Sequence, residues 1–299
     1  MATKNIPLAG VKIINLNCKK KLALKSWDSD EVQIELADER DLEIHENTTS
    51  IDIRLHEDCV IHAPAHAEIK VQEVGGSASI TGAFTGMELT NIGGSLVLDE
   101  STGATAHNIG GSCKLSGCSG SFNFDNIGGH LKAAGLAGTV NVMNVGGHIK
   151  VDGLIAQGRL LAGGSVKARL AESVQDLDIT AGGHIKLVYP SGVGFVVDAN
   201  SGANRVKLHT AEETKSLSGG SVQTTIGSGG PTLRLRAGGA VVLMEAGQEG
   251  EEGHLQLSFL SIGFQGGQFA VRDSRACRED RSRSRRASAR PHRPRLDRP

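Results

Sequence analysis

The 299-residue chain is 38% hydrophobic and contains 40 glycines, but only one Trp, one Tyr and seven Phe. Because aromatic side chains supply much of the buried apolar area of a compact globular core, this composition argues against such a core and favours thin layers of Val, Ile, Leu and Ala. The formal net charge of −1 combines a basic tail with an acidic body: residues 272–299 hold 11 Arg and four acids (11 − 4 = +7), which leaves −1 − 7 = −8 elsewhere.

Residues 1–70 contain short segments in which apolar and polar side chains alternate. These segments lie at 11–16, 22–27, 31–36, 41–45, 50–55 and 59–63. Period-two alternation is typical of a strand with one buried face, and turn-forming residues separate the segments at 28–30 and 37–39. The spacing predicts an N-terminal antiparallel β cap over residues 1–70.

From residue 71 onward a glycine pair recurs at a nearly constant interval. It begins at residues 75, 93, 110, 128, 146, 163 and 182, and again at 219 and 238. The 37-residue gap before 219 is long enough for two repeats, with Ser201 and Gly202 as a degraded corner between them. A fixed period of this length indicates a repeat architecture.

Each repeat carries two alternating segments. The second and fourth residues after the glycine pair are mostly apolar, and a second segment, such as the one containing Phe122 and Phe124, follows a Gly-marked turn. Glycine at both corners is interpreted as a requirement for positive φ. Because one coil cannot bury its own apolar face, successive coils are expected to stack and pair in parallel.

The predicted fold is therefore all-β: a single-stranded, parallel β-helix-like β-solenoid of about ten coils of roughly 18 residues, over residues 71–245. Solenoid ends expose unpaired strand edges, so the apolar stretch 254–264 predicts a C-terminal cap within 246–270. Residues 271–299 are predicted to be a disordered Arg-rich tail. The tail suits either nucleic-acid binding through counterion release or translation of a GC-rich gene in a wrong reading frame.

Stacking turns a recurring position into a column of side chains. The third residue after the glycine pair is a lysine in five consecutive coils: Lys114, Lys132, Lys150, Lys167 and Lys186. Like charges one strand spacing apart repel unless acids flank them, so the column is a candidate binding stripe for an acidic polymer or an acidic partner protein. The alternative is a solvated face that prevents side-by-side aggregation.

A second column, two residues before the glycine pair, consists of Asn91, Asn108, Asn126 and Asn144. Stacked amides hydrogen-bond to one another along such columns. We therefore predict a structural Asn ladder.

The histidines are weaker candidates for a metal site. His130, His148 and His184 share the first position after the glycine pair with serines, and Cys113 lies one coil before His130. Structural zinc needs about four ligands, so we expect no metal and no cofactor. A second group, comprising His45, His56, His62 and His66, matches no zinc-ligand spacing.

Five cysteines, at 18, 59, 113, 118 and 277, are odd in number and form no CxxC pair. This pattern favours reduced thiols in a cytoplasmic protein. Cys113 and Cys118 flank one Gly turn, where a disulfide is geometrically feasible but a core Cys113 and a turn Cys118 is the simpler interpretation. The first 30 residues have no signal-peptide-like apolar stretch, so cell-surface placement would require a non-standard export route.

Catalytic motifs are missing from the sequence. It contains no phosphate loop followed by Lys and Ser or Thr, no GxSxG elbow and no HExxH motif. The coils are short and carry no insertion large enough to build a cleft. We expect the protein not to be an enzyme.

The stretch SWDSDEV at 26–32 is similar to the GWD-x-x-x-V signature of the DUF4097 group of adhesin-like domains. In that family short strands, a P-x-x-A step and tandem v-x-G-x-l-x-l coils follow, and here Pro64, Ala67 and the run 74–80 occur in that order. The resemblance covers roughly residues 10–245 and implies a bacterial β-solenoid of adhesin type. The bactofilins, cytoskeletal solenoids that polymerise end to end, are the nearest alternative, although they are usually shorter and lack the region around Trp27.

Two functional hypotheses follow. The first is a non-catalytic structural or adhesin-like scaffold that binds a polyanion or a partner protein along its Lys-lined face. The second is a bactofilin-like filament protein that self-associates through its solenoid ends. No membrane span is expected, since no window reaches the roughly 18 apolar residues that a bilayer requires.

Overall fold

The computed structural model describes residues 2–8, 10, 12–210 and 214–247. Most of these residues lie in β-strands, and the helical content of this part of the chain is a single 3₁₀ turn at Glu39–Asp41. No helix in the described ranges is long and apolar enough to cross a membrane. The all-β prediction is confirmed, whereas the predicted C-terminal cap beyond residue 247 and the predicted tail lie outside the described residues.

The strands before residue 68 are β1 (Ala2–Pro7), β2 (Ile13–Cys18), β3 (Leu22–Trp27), β4 (Glu31–Leu36), β5 (Leu42–Glu46), β6 (Ser50–Leu55) and β7 (Cys59–Pro64). The repeat continues with β8 (Glu68–Val74), β9 (Ala78–Thr81), β10 (Gly86–Ile92), β11 (Leu96–Asp99), β12 (Gly103–Ile109), β13 (Cys113–Ser116), β14 (Ser119–Ile127), β15 (Leu131–Val145), β16 (Ile149–Ala162) and β17 (Val166–Leu170). The remaining strands are β18 (Leu177–Ala181), β19 (Ile185–Tyr189), β20 (Phe195–Ser201), β21 (Arg205–His209), β22 (Thr214–Ser218), β23 (Ser221–Ile226), β24 (Thr232–Ala237) and β25 (Val241–Glu245).

Each coil has two strands joined at a corner, and the strands of successive coils pair in parallel. The strands before the corner form sheet I, in the order β5-β6-β2-β8-β10-β12-β14-β15-β16-β18-β24-β20-β23. The strands after the corner form sheet II, in the order β1-β4-β7-β3-β9-β11-β13-β15-β16-β17-β19-β25-β21-β22. The long strands β15 and β16 contribute to both sheets.

The core lies between the two sheets and follows the alternation read from the sequence. Along β14, Phe122 and Phe124 are buried while Asn123 is exposed. Val140 and Val142 lie opposite them in the next coil and are also buried. Full burial of such a side chain contributes roughly 1.5–3 kcal/mol, so stacked coils gain stability from every neighbour they acquire.

At the N-terminal end the pairing differs from the predicted antiparallel cap. The pairs β1–β4, β4–β7 and β5–β6 are antiparallel. Strands β2 and β3, however, form a regular coil that is paired in parallel with β6 and β7 on one side and with β8 and β9 on the other. The alternation located the strands, but it carries no information about partners, and the cap is consequently smaller than residues 1–70.

At the C-terminal end the repeat also leaves sequence order. The coil β24–β25 sits directly on β18–β19, with Leu233 opposite Leu177, and β20 lies on the far side of β24. Gly202 is a corner, as predicted, because its N–H donates to Ala237 O at 2.8 Å. Gly219 does not head a parallel coil: it lies between β22 and β23, which pair antiparallel with β21 and β20.

The predicted requirement for positive φ holds at one corner of the coil but not at the glycine pair. Positive φ occurs at the opposite corner, for example at Gly117 (φ 59°) and Gly135 (φ 64°), but not at Gly93 or Gly94. The glycine pair is instead required by close approach: a Cβ added to Gly93 would lie 2.5 Å from Gly75 O. The N–H of Gly93 donates to Val74 O at 2.8 Å, so the two coils cannot separate without losing this bond.

We expect Gly93→Ala to lower the free energy of unfolding by about 1–3 kcal/mol, since the added methyl group must push two hydrogen-bonded coils apart. Gly86→Ala is the matched control, because the atom nearest to its new Cβ is Glu68 Cγ at 3.3 Å, part of a movable side chain. Chemical denaturation of both variants checks this. An equal decrease in the free energy of unfolding in Gly93→Ala and Gly86→Ala would contradict the close-approach explanation.

Candidate functional site

The five predicted lysines lie in one straight column on the outer face of sheet II. Their Cα atoms are register partners from coil to coil, from Lys114 opposite Lys132 to Lys167 opposite Lys186. Neighbouring strands lie about 4.8 Å apart, so the column extends over roughly 19 Å. We call these five residues the Lys column.

Uncharged residues bound the Lys column at both ends. Val97 is the register partner of Lys114, and Val242 is the partner of Lys186. Both ends are therefore defined by a change of residue type at one position of the repeat. The five lysines are an uninterrupted run, and one further lysine, Lys207, lies beyond Val242 at the same position.

Four lysines of the column lack an acidic partner in the described part of the chain. Within the described ranges, no carboxylate forms an ion pair with Lys114, Lys132, Lys150 or Lys167. Asp152, on the same face, lies 3.7 Å from the guanidinium of Arg169 instead. Repulsion between neighbouring ammonium groups therefore remains, and a bound anion would relieve it.

Sheet I presents the opposite arrangement, since its charges are paired across coils. The ammonium of Lys70 lies 3.2 Å from Glu68 and 3.9 Å from Glu88. Nδ1 of His107 lies 2.6 Å from Asp125, whose hydrogen bond and charge raise the pKa of His107. Neighbouring coils thus neutralise these charges of sheet I.

The first position after the glycine pair forms a ladder that the sequence analysis treated only as a weak metal candidate. Its members are Ser77, Ser95, Ser112, His130, His148, Ser165 and His184. The side chain of each accepts a hydrogen bond from the backbone N–H at the same position of the next coil, at 2.8–3.1 Å. We call this set the corner ladder.

In the corner ladder, histidine replaces serine because its Nδ1 can occupy the position of a hydroxyl oxygen. Nδ1 of His130 accepts from the N–H of His148 at 2.9 Å, so the proton of the neutral ring is on Nε2. The two rings stack with centroids 5.4 Å apart. Burial, together with the neighbouring His148, lowers the pKa of His130. Among the described residues no three metal-ligating side chains converge.

The four predicted asparagines occupy one exposed column at the end of the sheet I strands. Nδ2 of Asn108 donates to Asn91 at 3.0 Å, Asn126 donates to Asn108 at 3.2 Å, and Asn144 donates to Asn126 at 3.5 Å. A further amide pair, in which Asn141 donates to Asn123 at 3.0 Å, was missed by the sequence analysis. Its signal was the recurrence of Asn at a spacing of 18 residues.

Three of the four histidines in the N-terminal group lie within 4 Å of carboxylates. His56 lies 3.8 Å from Glu43, and His62 lies 3.9 Å from Glu35. His66 lies 3.9 Å from Asp30.

Cys113 and Cys118 are both buried free thiols. The thiol of Cys118 donates to Ser116 O at 3.3 Å. Burial raises the pKa of Cys113 and that of Cys118. A protonated, hydrogen-bonded thiol is a structural group, in keeping with a core Cys113 and a turn Cys118.

Comparison with known proteins gives limited information. No protein-family model and no curated protein matches the sequence. A candidate adhesin from Bacteroides fragilis of known crystal structure is 9% identical, with a TM-score of 0.35, over 81% of this chain and 96% of that chain. A candidate cell-adhesion protein from Clostridium sporogenes is 11% identical, with a TM-score of 0.18, over 82% of this chain and 97% of that chain. Matches this distant assign neither a family nor a function.

We expect Asn126→Ala to lower the free energy of unfolding by about 1 kcal/mol, because it removes one donated and one accepted hydrogen bond of the ladder. Asn91→Ala is the comparison, since Asn91 stands at the end of the ladder and accepts only from Asn108. Thermal unfolding should rank the internal variant below the terminal one. An Asn126→Ala protein with an unchanged melting temperature would argue against the ladder.

Acidification should destabilise the corner ladder through His130. Its folded pKa lies below the unfolded value of about 6.5, so its contribution to stability is present above that value and is lost as the pH falls through the folded pKa. His130→Ser retains an acceptor but cannot titrate. The difference in melting temperature between pH 7.5 and pH 5 should therefore be smaller in His130→Ser than in the unaltered protein, and an equal difference would contradict this assignment.

Proposed function

We propose that the protein is a non-catalytic, adhesin-like solenoid scaffold whose Lys column binds an anionic polymer. The observation that carries the proposal is the alignment of ammonium groups at a regular spacing without neutralising carboxylates at Lys114, Lys132, Lys150 and Lys167. A polyanion carries condensed cations, and ammonium groups that neutralise its charges release them. The entropy of this release favours binding.

The geometry favours a flexible, single-chain polyanion over double-stranded DNA. The lysines follow one another at about 4.8 Å, whereas the duplex presents one charge per ~1.7 Å of its axis on a rigid cylinder. A flexible chain can adjust its anionic groups to the lysines one by one. Acidic polysaccharides and inorganic polyphosphate meet this requirement.

The rigidity of the scaffold also supports binding. Each lysine lies two positions after a residue of the corner ladder, and both of its chain neighbours are buried. Lys132, for example, is flanked by the buried residues Leu131 and Ala133. The backbone positions of the column are therefore held in place before a ligand arrives. Binding then costs only the ordering of the lysine side chains and of the polymer.

The Lys column lies apart from two surface cavities lined by described residues. Two surface cavities in the described ranges, of about 360 and 310 Å³, are lined by residues near Trp27 and near Lys19. Their linings contain no lysine of the column. Recognition would thus occur along a surface stripe, as a scaffold or adhesion module requires.

The antiparallel strands at both described ends support a scaffold over a filament. Strands β4, β5, β22 and β23 run opposite to the coils that they cover. At the edges formed by β5, β22 and β23, a second solenoid would not continue the parallel register, whereas β1, the outermost strand of sheet II, runs in the direction of the coils because it is antiparallel to β4. Size-exclusion chromatography at increasing concentration should show one discrete species.

The decisive test replaces all five lysines of the Lys column by serine and measures binding to polyphosphate. We expect the unaltered protein to bind with a log–log salt slope on the order of −3, as about five ammonium groups displace counterions. The five-fold variant should lose most of this binding. Serine is a suitable replacement because Ser79 occupies the same column in the coil β8–β9.

A matched control removes the same charge elsewhere. Its substitutions to serine are Lys25, Lys70, Arg159, Arg234 and Arg236. Both variants retain the Arg-rich C-terminal segment, so its contribution cancels in the comparison. Equal binding by the two variants would overturn the proposal, because binding would then depend only on net charge.

A further inference from the structure

Two buried cysteines meet in the N-terminal part of the solenoid. Cys18 ends β2, and Cys59 begins β7 in the outermost parallel coil of that end. Their Sγ atoms lie 3.8 Å apart, within hydrogen-bond distance for sulfur, and both side chains are at least 97% buried. The residues are 41 positions apart in sequence, so only the out-of-order stacking of the coils brings them together.

We propose that Cys18 and Cys59 are an oxidative modification site, at which a small peroxide forms a disulfide that ties the terminal coil β6–β7 to the coil β2–β3. The inference is independent of the Lys column. It changes the expectation of five reduced thiols, because it identifies which pair reacts when the protein meets an oxidant.

Either thiol can donate in the sulfur–sulfur contact, so each can stabilise the other as a thiolate. The thiolate is the nucleophile, and the same disulfide forms whichever sulfur attacks first. When protonated, the Cys18 thiol donates to the backbone carbonyl groups of Lys21 and Glu57, each 3.5 Å from its Sγ.

The reaction balances with hydrogen peroxide as the oxidant. The Cys18 thiolate attacks one peroxide oxygen, the O–O bond breaks, and Cys18 sulfenic acid and hydroxide form. Cys59 sulfur then attacks Cys18 sulfur, the S–O bond breaks, and the departing hydroxide takes the Cys59 proton to become water. In sum, two thiols lose two electrons and two protons, and one peroxide becomes two water molecules.

The residues that flank Cys18 line a surface cavity, although neither cysteine does. A surface cavity of about 310 Å³ is lined by Asn17 and Lys19, which flank Cys18 in the chain, and by Leu55 and His56 of the terminal coil. In the described part of the chain, the outer side of that coil is covered by the antiparallel strands β4 and β5, with β1 paired to β4. Terminal elements open more readily than the interior of a structure, which favours access at this end.

The second cysteine pair serves as an internal comparison. Cys113 lies in the middle of the solenoid and is fully buried, and the thiol of Cys118 donates to the carbonyl groups of Leu98 and Ser116. Burial raises the pKa of both groups. In the described part of the chain the sulfur–sulfur hydrogen bond is found at Cys18 and Cys59, not at this second pair.

The test uses the full chain, treated with hydrogen peroxide, alkylated with N-ethylmaleimide and digested without reductant. Mass spectrometry should show the peptides of Cys18 and Cys59 joined, with the loss of two hydrogen atoms. Reductant should reverse the linkage. Recovery of both residues as alkylated thiols or as sulfinic acids, while other cysteines oxidise, would overturn the proposal.

Stability supplies a second measurement. Closing a loop of this length should raise the melting temperature of the oxidised protein by on the order of 10 °C. Cys59→Ser should abolish this shift, whereas the double variant Cys113→Ser, Cys118→Ser should keep it. If Cys59→Ser does not fold, the peptide map of the unaltered chain still decides between the two outcomes.

Discussion

The close approach of successive backbones at the glycine corner is the constraint on which the rest of the structure depends. The N–H of Gly93 donates to Val74 O, and that of Gly94 donates to Gly76 O, both at 2.8 Å. The first glycine leaves room for the carbonyl group of the coil below, and the second leaves room for a side chain of the corner ladder: a Cβ on Gly94 would meet Ser77 Oγ at 2.5 Å. The glycine pair and the corner ladder therefore act together at the same corner, and their contacts set the register of both sheets.

A register set at the corner determines what the surface can present. Once each coil is aligned with the next, every recurring residue becomes a row, and the chemistry of a row depends on its neighbours in adjacent coils. Sheet I places opposite charges together, as at His107 and Asp125, whereas sheet II aligns Lys114, Lys132, Lys150 and Lys167 without such partners among the described residues. The candidate binding stripe follows from this alignment and needs no pocket. This explains why catalytic motifs and cavities were poor guides to it.

The sequence predicted features that follow from local spacing. The buried alternation at Phe122 and Phe124, and the lysine and asparagine columns, were found because the period is nearly constant. The order in which the chain builds the coils at the two ends was not predicted. The coil β2–β3 turns at Lys19 and Lys20, where there is no glycine pair, and the glycine pair at Gly219 does not begin a parallel coil. The contact between Cys18 and Cys59 depends on that order and was invisible for the same reason. The corner ladder was missed because serine and histidine look unrelated until both act as acceptors.

The interleaving of coils at the two ends has a consequence for how such a chain can grow during evolution. Between β8 and β19 each coil follows its predecessor, so duplication of one repeat would lengthen the solenoid and leave every other contact in place. Near either end, a coil is enclosed by segments that do not adjoin it in the chain, as β24 is by β18 and β20, both of which precede it. An added repeat there would separate segments that must touch. Gain and loss of repeats are thus confined to the interior coils. The coils at each end can be kept or lost only together.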